Sequence, residues 1–169
     1  MFQSDYNLEE IPFDFNFCNT YGDVSYMFQG CNKLKKIGKL INFYPTNMRY
    51  MFSESRALRE LPEFENLNMS RAQSTSVRMG NMFCFCYSLR SIPEDLLKQL
   101  WGTQTSSTYP FLYGAFVDCY ALDEIRGLMP KTGTITSNMF ANTFQLCHRV
   151  KEIIFATNDD GTPLSVNWK

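Results

Sequence analysis

The sequence predicts an α/β solenoid of stacked repeats, and three observations support this prediction. The stretch MFQGCNKLKKI at residues 27–37 returns as MFCFCYSLRSI at residues 82–92. A Phe is followed by Leu, Ile or Val at both the sixth and the ninth position in six places, whereas composition alone predicts fewer than about one such match. The matches recur along the chain at intervals of 24 to 33 residues. They are Phe2/Leu8/Ile11, Phe28/Leu34/Ile37, Phe52/Leu58/Leu61, Phe83/Leu89/Ile92, Phe116/Leu122/Ile125 and Phe144/Val150/Ile153.

Two further columns fix the register of the repeats. The residue before the Phe is Met in the first four repeats, and then Ala115 and Thr143. The third position after the Phe holds a small, weakly polar residue in every repeat: Asp5, Cys31, Ser55, Cys86, Cys119 and Cys147. We therefore place six repeats in residues 1–155, with starts near residues 1, 27, 51, 82, 115 and 143.

The need for burial explains why the pattern recurs. A unit of this size cannot hide its own Phe, Leu and Ile, so units stack and each column becomes an internal ridge. The Leu-x-x-Ile spacing predicts the start of a short parallel strand on the concave side, and the Met-Phe segment predicts helical or irregular structure on the convex side. The small polar column marks the bend between them, where a thiol, hydroxyl or carboxylate can bond to an unpaired backbone group.

The repeats resemble a known family. The stretches MFQGCNKLKKI, MFCFCYSLRSIP and AFVDCYALDEI are similar to the BspA-like leucine-rich repeats of bacterial surface proteins and of structural or tail proteins of some bacteriophages. The resemblance implies a leucine-rich-repeat solenoid, a right-handed curved superhelix used in protein recognition or adhesion, with no catalytic residues. The chain departs from the family pattern in its uneven spacing, in Asp5 and Ser55 at the Cys column and in Thr143 before the last Phe.

The segments between the corners are predicted from their composition. Pro93, the acidic residues after it and a stripe of Leu predict a convex helix over residues 94–101. Polar insertions at residues 66–81, 102–110 and 127–138 predict exposed loops. Residues 156–169 contain the turn sequence NDDG and predict a C-terminal turn and cap, or a truncated continuation. The pattern begins directly at Met1, so we expect either a portion of a larger protein or a short member packed against a neighbour.

Composition argues against several classes of function. The net charge of −1 and the pI of about 5.8 do not favour a nucleic-acid partner, which calls for clustered Lys and Arg. The apolar stretches are far shorter than the roughly 20 residues that cross a bilayer, so no membrane insertion is expected. The N-terminus has neither the basic nor the apolar segment of a secretory signal, and the sequence indicates no compartment beyond a cell surface or virion for a larger parent protein.

The cysteines and the single histidine are candidates for chemistry. Four Cys share one repeat column, which predicts buried thiols at corners rather than disulfides, because their Cβ atoms point in parallel. Cys84 and Cys86 lack a second pair at zinc spacing, and Cys18 is isolated, so no metal site is expected. His148 follows a column Cys, and adjacent side chains at a bend diverge, so we expect a solvent-facing or structural histidine. No catalytic residue and no cofactor is predicted.

Two surfaces are candidates for binding a partner. On the concave face, strand alternation turns outward the residues beside the inward Ile, and we select Glu10, Lys36, Glu60, Ser91, Glu124, Arg126 and Glu152. This row is mixed in charge and lacks aromatic side chains, so an ordinary solvated face is the competing interpretation. On the loop side, the candidates are Trp101, Tyr109 and Tyr113.

Two functions remain open from the sequence. The first is a non-catalytic recognition or adhesion module, part of a larger cell-surface protein, that presents a surface to a protein or glycan partner. The alternative is a structural or tail-fibre component of a bacteriophage particle, whose ends or loops are buried by neighbouring chains. A stable monomer that binds a ligand favours the first, and obligate association favours the second.

Overall fold

The chain folds as a β-solenoid of short parallel strands. A computed structural model describes residues 1–68, 79–94, 96–97, 99, 112–126 and 141–154. Every strand pair within this part is parallel, and each joins one coil to the next. The strands are β1 Glu10–Ile11, β2 Phe15–Asn16, β3 Tyr21–Asp23, β4 Lys36–Ile37, β5 Leu40–Ile41, β6 Tyr44–Asn47, β7 Phe64–Glu65, β8 Ser91–Ile92, β9 Glu124–Arg126 and β10 Glu152–Ile154.

The strands form four small sheets along the stack. β1 pairs with β4, β2 with β5 and β5 with β7, β3 with β6, and β9 lies between β8 and β10. The first two coils therefore carry three strands each, placed on three separate sheets. Five strands begin at the eighth position after a column Phe, as the Leu-x-x-Ile pattern predicts: β1, β4, β8, β9 and β10. In the third repeat the equivalent position, Glu60, lies in a bend.

The Met-Phe segments are corners with a repeated backbone conformation. In all six, the second residue after the Phe has positive φ, and in the last five the second residue before it does too. As a result, alternate amides point along the stack: the N–H groups of Phe28 and Gly30 donate to the carbonyls of Met51 and Ser53, 2.8 and 2.9 Å away. The intervening amides donate within their own coil, three residues back, as Cys31 does to Phe28. The corner thus pairs its backbone groups without forming a helix.

The six column phenylalanines form one continuous internal stack, which confirms the prediction that they share a buried ridge. Successive ring centroids are 5.6, 5.4, 5.8, 5.4 and 5.6 Å apart, and no pair of ring planes differs by more than 13°. The centroid separations exceed the roughly 4.8 Å between adjacent strands, so the rings are offset, the arrangement that aromatic pairs prefer. Phe28, Phe52, Phe83 and Phe116 are fully buried.

The small polar column connects each coil to the one before it. The thiols of Cys31, Cys86, Cys119 and Cys147 donate to the carbonyl of the column Phe in the preceding coil, at 2.8 to 3.1 Å. The Ser55 hydroxyl makes the same bond to Phe28 at 2.7 Å. All of these cysteines are free thiols. The predicted role of this column, side chains that bond to backbone groups at the bend, is confirmed.

The predicted α/β character is not what the structure shows. Within the described residues, helical conformation is confined to positions 94, 96, 97 and 99, inside the predicted helix at 94–101. Of the two alternatives predicted for the Met-Phe segments, helical or irregular, the structure shows the irregular one, because the alternating positive φ values direct amides to the next coil instead of to the fourth residue back. No described helix is long and apolar enough to cross a bilayer. The segment at 156–169 and most of the three polar insertions lie outside the described residues.

Candidate binding surface

The predicted concave row is divided into two parts. Glu10 pairs in register with Lys36 on β1 and β4, and Ser91, Glu124 and Glu152 follow one another on β8, β9 and β10. Arg126 forms an ion pair with Glu124 on its own strand. Glu60 belongs to no strand and does not connect the two parts, because the third coil bends where the others extend.

The predicted loop-side residues are mostly beyond what the structure describes. Trp101 and Tyr109 lie outside the described residues. Tyr113 is exposed, and its carbonyl accepts a hydrogen bond from the amide of Asn81 at 2.8 Å. The predicted row and the predicted loop cluster therefore do not converge on one site in the described part of the chain.

A different set of side chains forms a stack on the outside of the corners. These residues occupy the fourth position after the column Phe in the last four repeats. The Arg56 guanidinium lies 5.3 Å from the ring centre of Tyr87, Tyr87 stacks on Tyr120 at 5.0 Å, and Tyr120 stacks on His148 at 6.1 Å. A hydrogen bond with the Asp118 carboxylate raises the pKa of Tyr120 to about 12, so this phenol stays neutral.

An open polar groove runs beside this stack. Its volume is about 410 Å³, and it crosses the third to sixth repeats. Backbone hydrogen bonds hold its walls in register: Arg90 donates to Arg59 at 3.2 Å, Asp123 donates to Arg90 at 3.1 Å, and Ala121 donates to Tyr87 at 3.2 Å. We call this feature the arginine groove, and its lining residues are Arg59, Tyr87, Ser88, Arg90, Ala121, Asp123 and Arg149.

The arginine groove is positively charged. Its lining carries three guanidiniums and one carboxylate. The Asp123 carboxylate forms ion pairs with the Arg149 guanidinium, at 3.3 Å, and with the Lys151 ammonium, at 3.9 Å. Among the described residues, no carboxylate lies within 4.0 Å of the guanidinium of Arg59 or of Arg90. Two cations therefore stand on adjacent coils facing the groove.

The buried and half-buried cysteines are poorly suited to nucleophilic chemistry. Burial raises the pKa of Cys84 to about 12 and raises the pKa values of Cys31, Cys86, Cys119 and Cys147 above their ordinary value. The thiolate is the reactive form, so these side chains are weak nucleophiles near neutral pH. His148 is exposed and stacks on Tyr120 while the Cys147 thiol bonds inward to Phe116, so the two side chains diverge as predicted.

The sequence contained a signal for the arginine groove that the search for strand faces missed. The stacked residues share the fourth position after the Phe, and Arg59, Arg90 and Asp123 share the seventh. Reading those two columns in the same register as the Phe and Cys columns would have placed them side by side.

Compared with known protein families, with curated proteins and with solved structures, the chain matches none.

Proposed function

We propose that the chain is a non-catalytic recognition module that binds part of a protein or glycan partner in the arginine groove. The observation that supports this proposal is the groove itself, a cavity of about 410 Å³ whose walls are held in register by the hydrogen bonds between coils. A groove whose backbone is fixed loses little backbone conformational freedom when a ligand binds, which favours affinity.

The repeat pattern supports a finer proposal. The columns at the Phe, Cys and Leu-x-x-Ile positions are those on which the resemblance to BspA-like leucine-rich repeats rests. In that family the solenoid is right-handed and curved. We extend the proposal to a right-handed leucine-rich-repeat module that, as part of a larger cell-surface protein, acts in adhesion.

The test compares binding by three forms of the chain on peptide and glycan arrays. Ser88→Trp fills the arginine groove without changing charge, because Ser88 lies half-buried in its lining. Thr20→Trp adds the same bulk at an exposed position outside the groove lining and is the matched control. We expect the wild type and Thr20→Trp to bind the same array features, and Ser88→Trp to bind them about tenfold more weakly or not at all. Circular dichroism checks that all three forms are folded.

Two results would overturn the proposal. One is the absence of any array feature bound by the wild type, and the other is equal binding by Ser88→Trp and the control. Light scattering on the wild type adds an independent measurement: a monomer at micromolar concentration supports a recognition module, whereas association that persists on dilution supports an assembly subunit of a larger particle.

A further inference from the structure

We infer that the ligand of the arginine groove is an acidic segment of a partner protein, whose carboxylates are held by Arg59 and Arg90. This inference rests on the proposed recognition function and assigns a chemical class to its ligand. Its first support is the arrangement of charge. The amide of Arg90 donates to the carbonyl of Arg59, so the two residues occupy adjacent rungs of one ladder. Both positive side chains therefore extend from neighbouring positions on adjacent coils, where like charges repel each other.

The other cations in this ladder, at the seventh position after the column Phe, are neutralised within the chain. Lys35 lies 2.8 Å from the Glu9 carboxylate in the preceding coil, and Lys151 lies 3.9 Å from the Asp123 carboxylate in the preceding coil. Arg149 is similarly paired with Asp123. Arg59 and Arg90 are the exception among these ladder cations, since no described carboxylate is within ion-pair distance of either. A carboxylate from outside the chain would remove the repulsion between them and form charge-assisted hydrogen bonds to planar guanidiniums.

The aromatic stack argues against ligands that bind by ring stacking. One face of the Tyr87 ring is covered by the Arg56 guanidinium and the other by Tyr120. Tyr120 is likewise enclosed between Tyr87 and His148. A sugar ring or a nucleic-acid base needs an open aromatic face, and these two tyrosines offer edges and hydroxyl groups instead. Recognition in the arginine groove therefore depends on charge and hydrogen bonding.

The length of the arginine groove fits a short extended peptide. The groove crosses four coils, and adjacent coils in a parallel stack are about 4.8 Å apart, which gives a span of about 14 Å. An extended chain advances about 3.3 Å per residue, so about four residues fit along this span. Two acidic side chains in such a segment can each meet the guanidinium of Arg59 or of Arg90. At the wall, the Ser88 hydroxyl can donate to or accept from the peptide backbone, and the Asp123 carboxylate can accept from its N–H groups.

The experiment measures fluorescence anisotropy of a labelled octaglutamate peptide, with octaglutamine as the uncharged control peptide. The groove variant is Arg59→Gln with Arg90→Gln. The matched control variant is Lys33→Gln with Arg49→Gln, which removes the same amount of charge at exposed positions outside the groove lining. We expect octaglutamate to bind the wild type and the control variant within about twofold of each other, and the groove variant about tenfold more weakly or worse. Octaglutamine should not bind, and added salt should weaken octaglutamate binding.

Three results would overturn the acidic-peptide assignment. The first is no binding of octaglutamate to the wild type. The second is equal weakening in the groove and control variants, which would show general charge attraction. The third is stronger competition by a sulfated oligosaccharide than by unlabelled octaglutamate, which would assign the site to an anionic glycan.

The recognition function has a separate outcome. If the assignment fails but Ser88→Trp still abolishes array binding to another ligand, the arginine groove remains a recognition site of different chemistry. If Ser88→Trp leaves array binding unchanged, the proposed function fails as well.

Discussion

Truncation of Phe83 to alanine tests the internal stack most directly. Phe83 is fully buried, and its ring lies between Phe52 at 5.8 Å and Phe116 at 5.4 Å. A fully buried Phe hides about 150 to 250 Å², which at about 25 cal/mol per Å² corresponds to about 4 to 6 kcal/mol for the whole side chain. Alanine keeps part of that burial, and the stack cannot close over the gap without breaking the hydrogen bonds between coils. We expect Phe83→Ala to lower the free energy of unfolding by about 3 to 5 kcal/mol.

The assay is urea unfolding followed by circular dichroism, with the free energy of unfolding obtained by linear extrapolation. Phe13→Ala is the matched control, because Phe13 is 58% exposed and should cost less than about 1 kcal/mol. Phe83→Leu keeps more of the buried volume and should lose less stability than Phe83→Ala, which keeps the test usable should the alanine variant fail to fold. A loss below about 0.5 kcal/mol for Phe83→Ala, or a loss equal to that of Phe13→Ala, would refute the reasoning.

Three further predictions address the turns and the thiols. Gly38→Ala should lower the free energy of unfolding in urea by about 2 kcal/mol or more, because an added Cβ would lie 2.2 Å from the Phe13 carbonyl oxygen. Gly22→Ala is the control: its Cβ would meet no atom within 4 Å, so the free energy of unfolding should change by less than about 1 kcal/mol. Cys18 is exposed and should react with a maleimide within minutes, while the buried column thiols should react rapidly only after denaturation. Fast labelling of four or more thiols in the native protein would contradict the predicted burial of the column. Burial raises the pKa of Cys119, so the native thiol stays protonated while the thiol of the unfolded chain ionises above about pH 8.5. The free energy of unfolding should therefore fall as the pH rises from 8 to 10. An equal fall in Cys119→Ser would show that Cys119 is not the cause.

Local sequence patterns predicted the parts of this fold that repeat within a single coil. The Phe column and the Cys column were found at the predicted positions, and five strands begin where Leu-x-x-Ile predicted them. These features follow from the burial of side chains at fixed offsets from one another, and such offsets are visible in the sequence of one repeat. Ser55 makes the same hydrogen bond as the column cysteines, so the departure from Cys at that position left the bond intact.

The sequence left open whether the Met-Phe segments are helical or irregular, and the structure shows irregular conformation for a physical reason. The Met-Phe segments contain residues such as Tyr26, Glu54 and Leu146 that disfavour positive φ, and yet they adopt it. The positive φ values let every second amide donate a hydrogen bond to the next coil. Such a bond can form only when that coil is already in place. Local preference cannot reveal a conformation that a neighbouring coil stabilises.

The sequence by itself determined that this chain forms a stack, which side chains fill its interior and where most coils bend, because those properties depend on spacing within about ten residues. Only the tertiary structure decided which charges meet on the surface. Arg59, Arg90 and Asp123 are 31 and 33 residues apart along the chain and become neighbours through hydrogen bonds between coils. The repeats start at unequal intervals of 24 to 33 residues, so the lateral register that creates the arginine groove is set by packing in three dimensions.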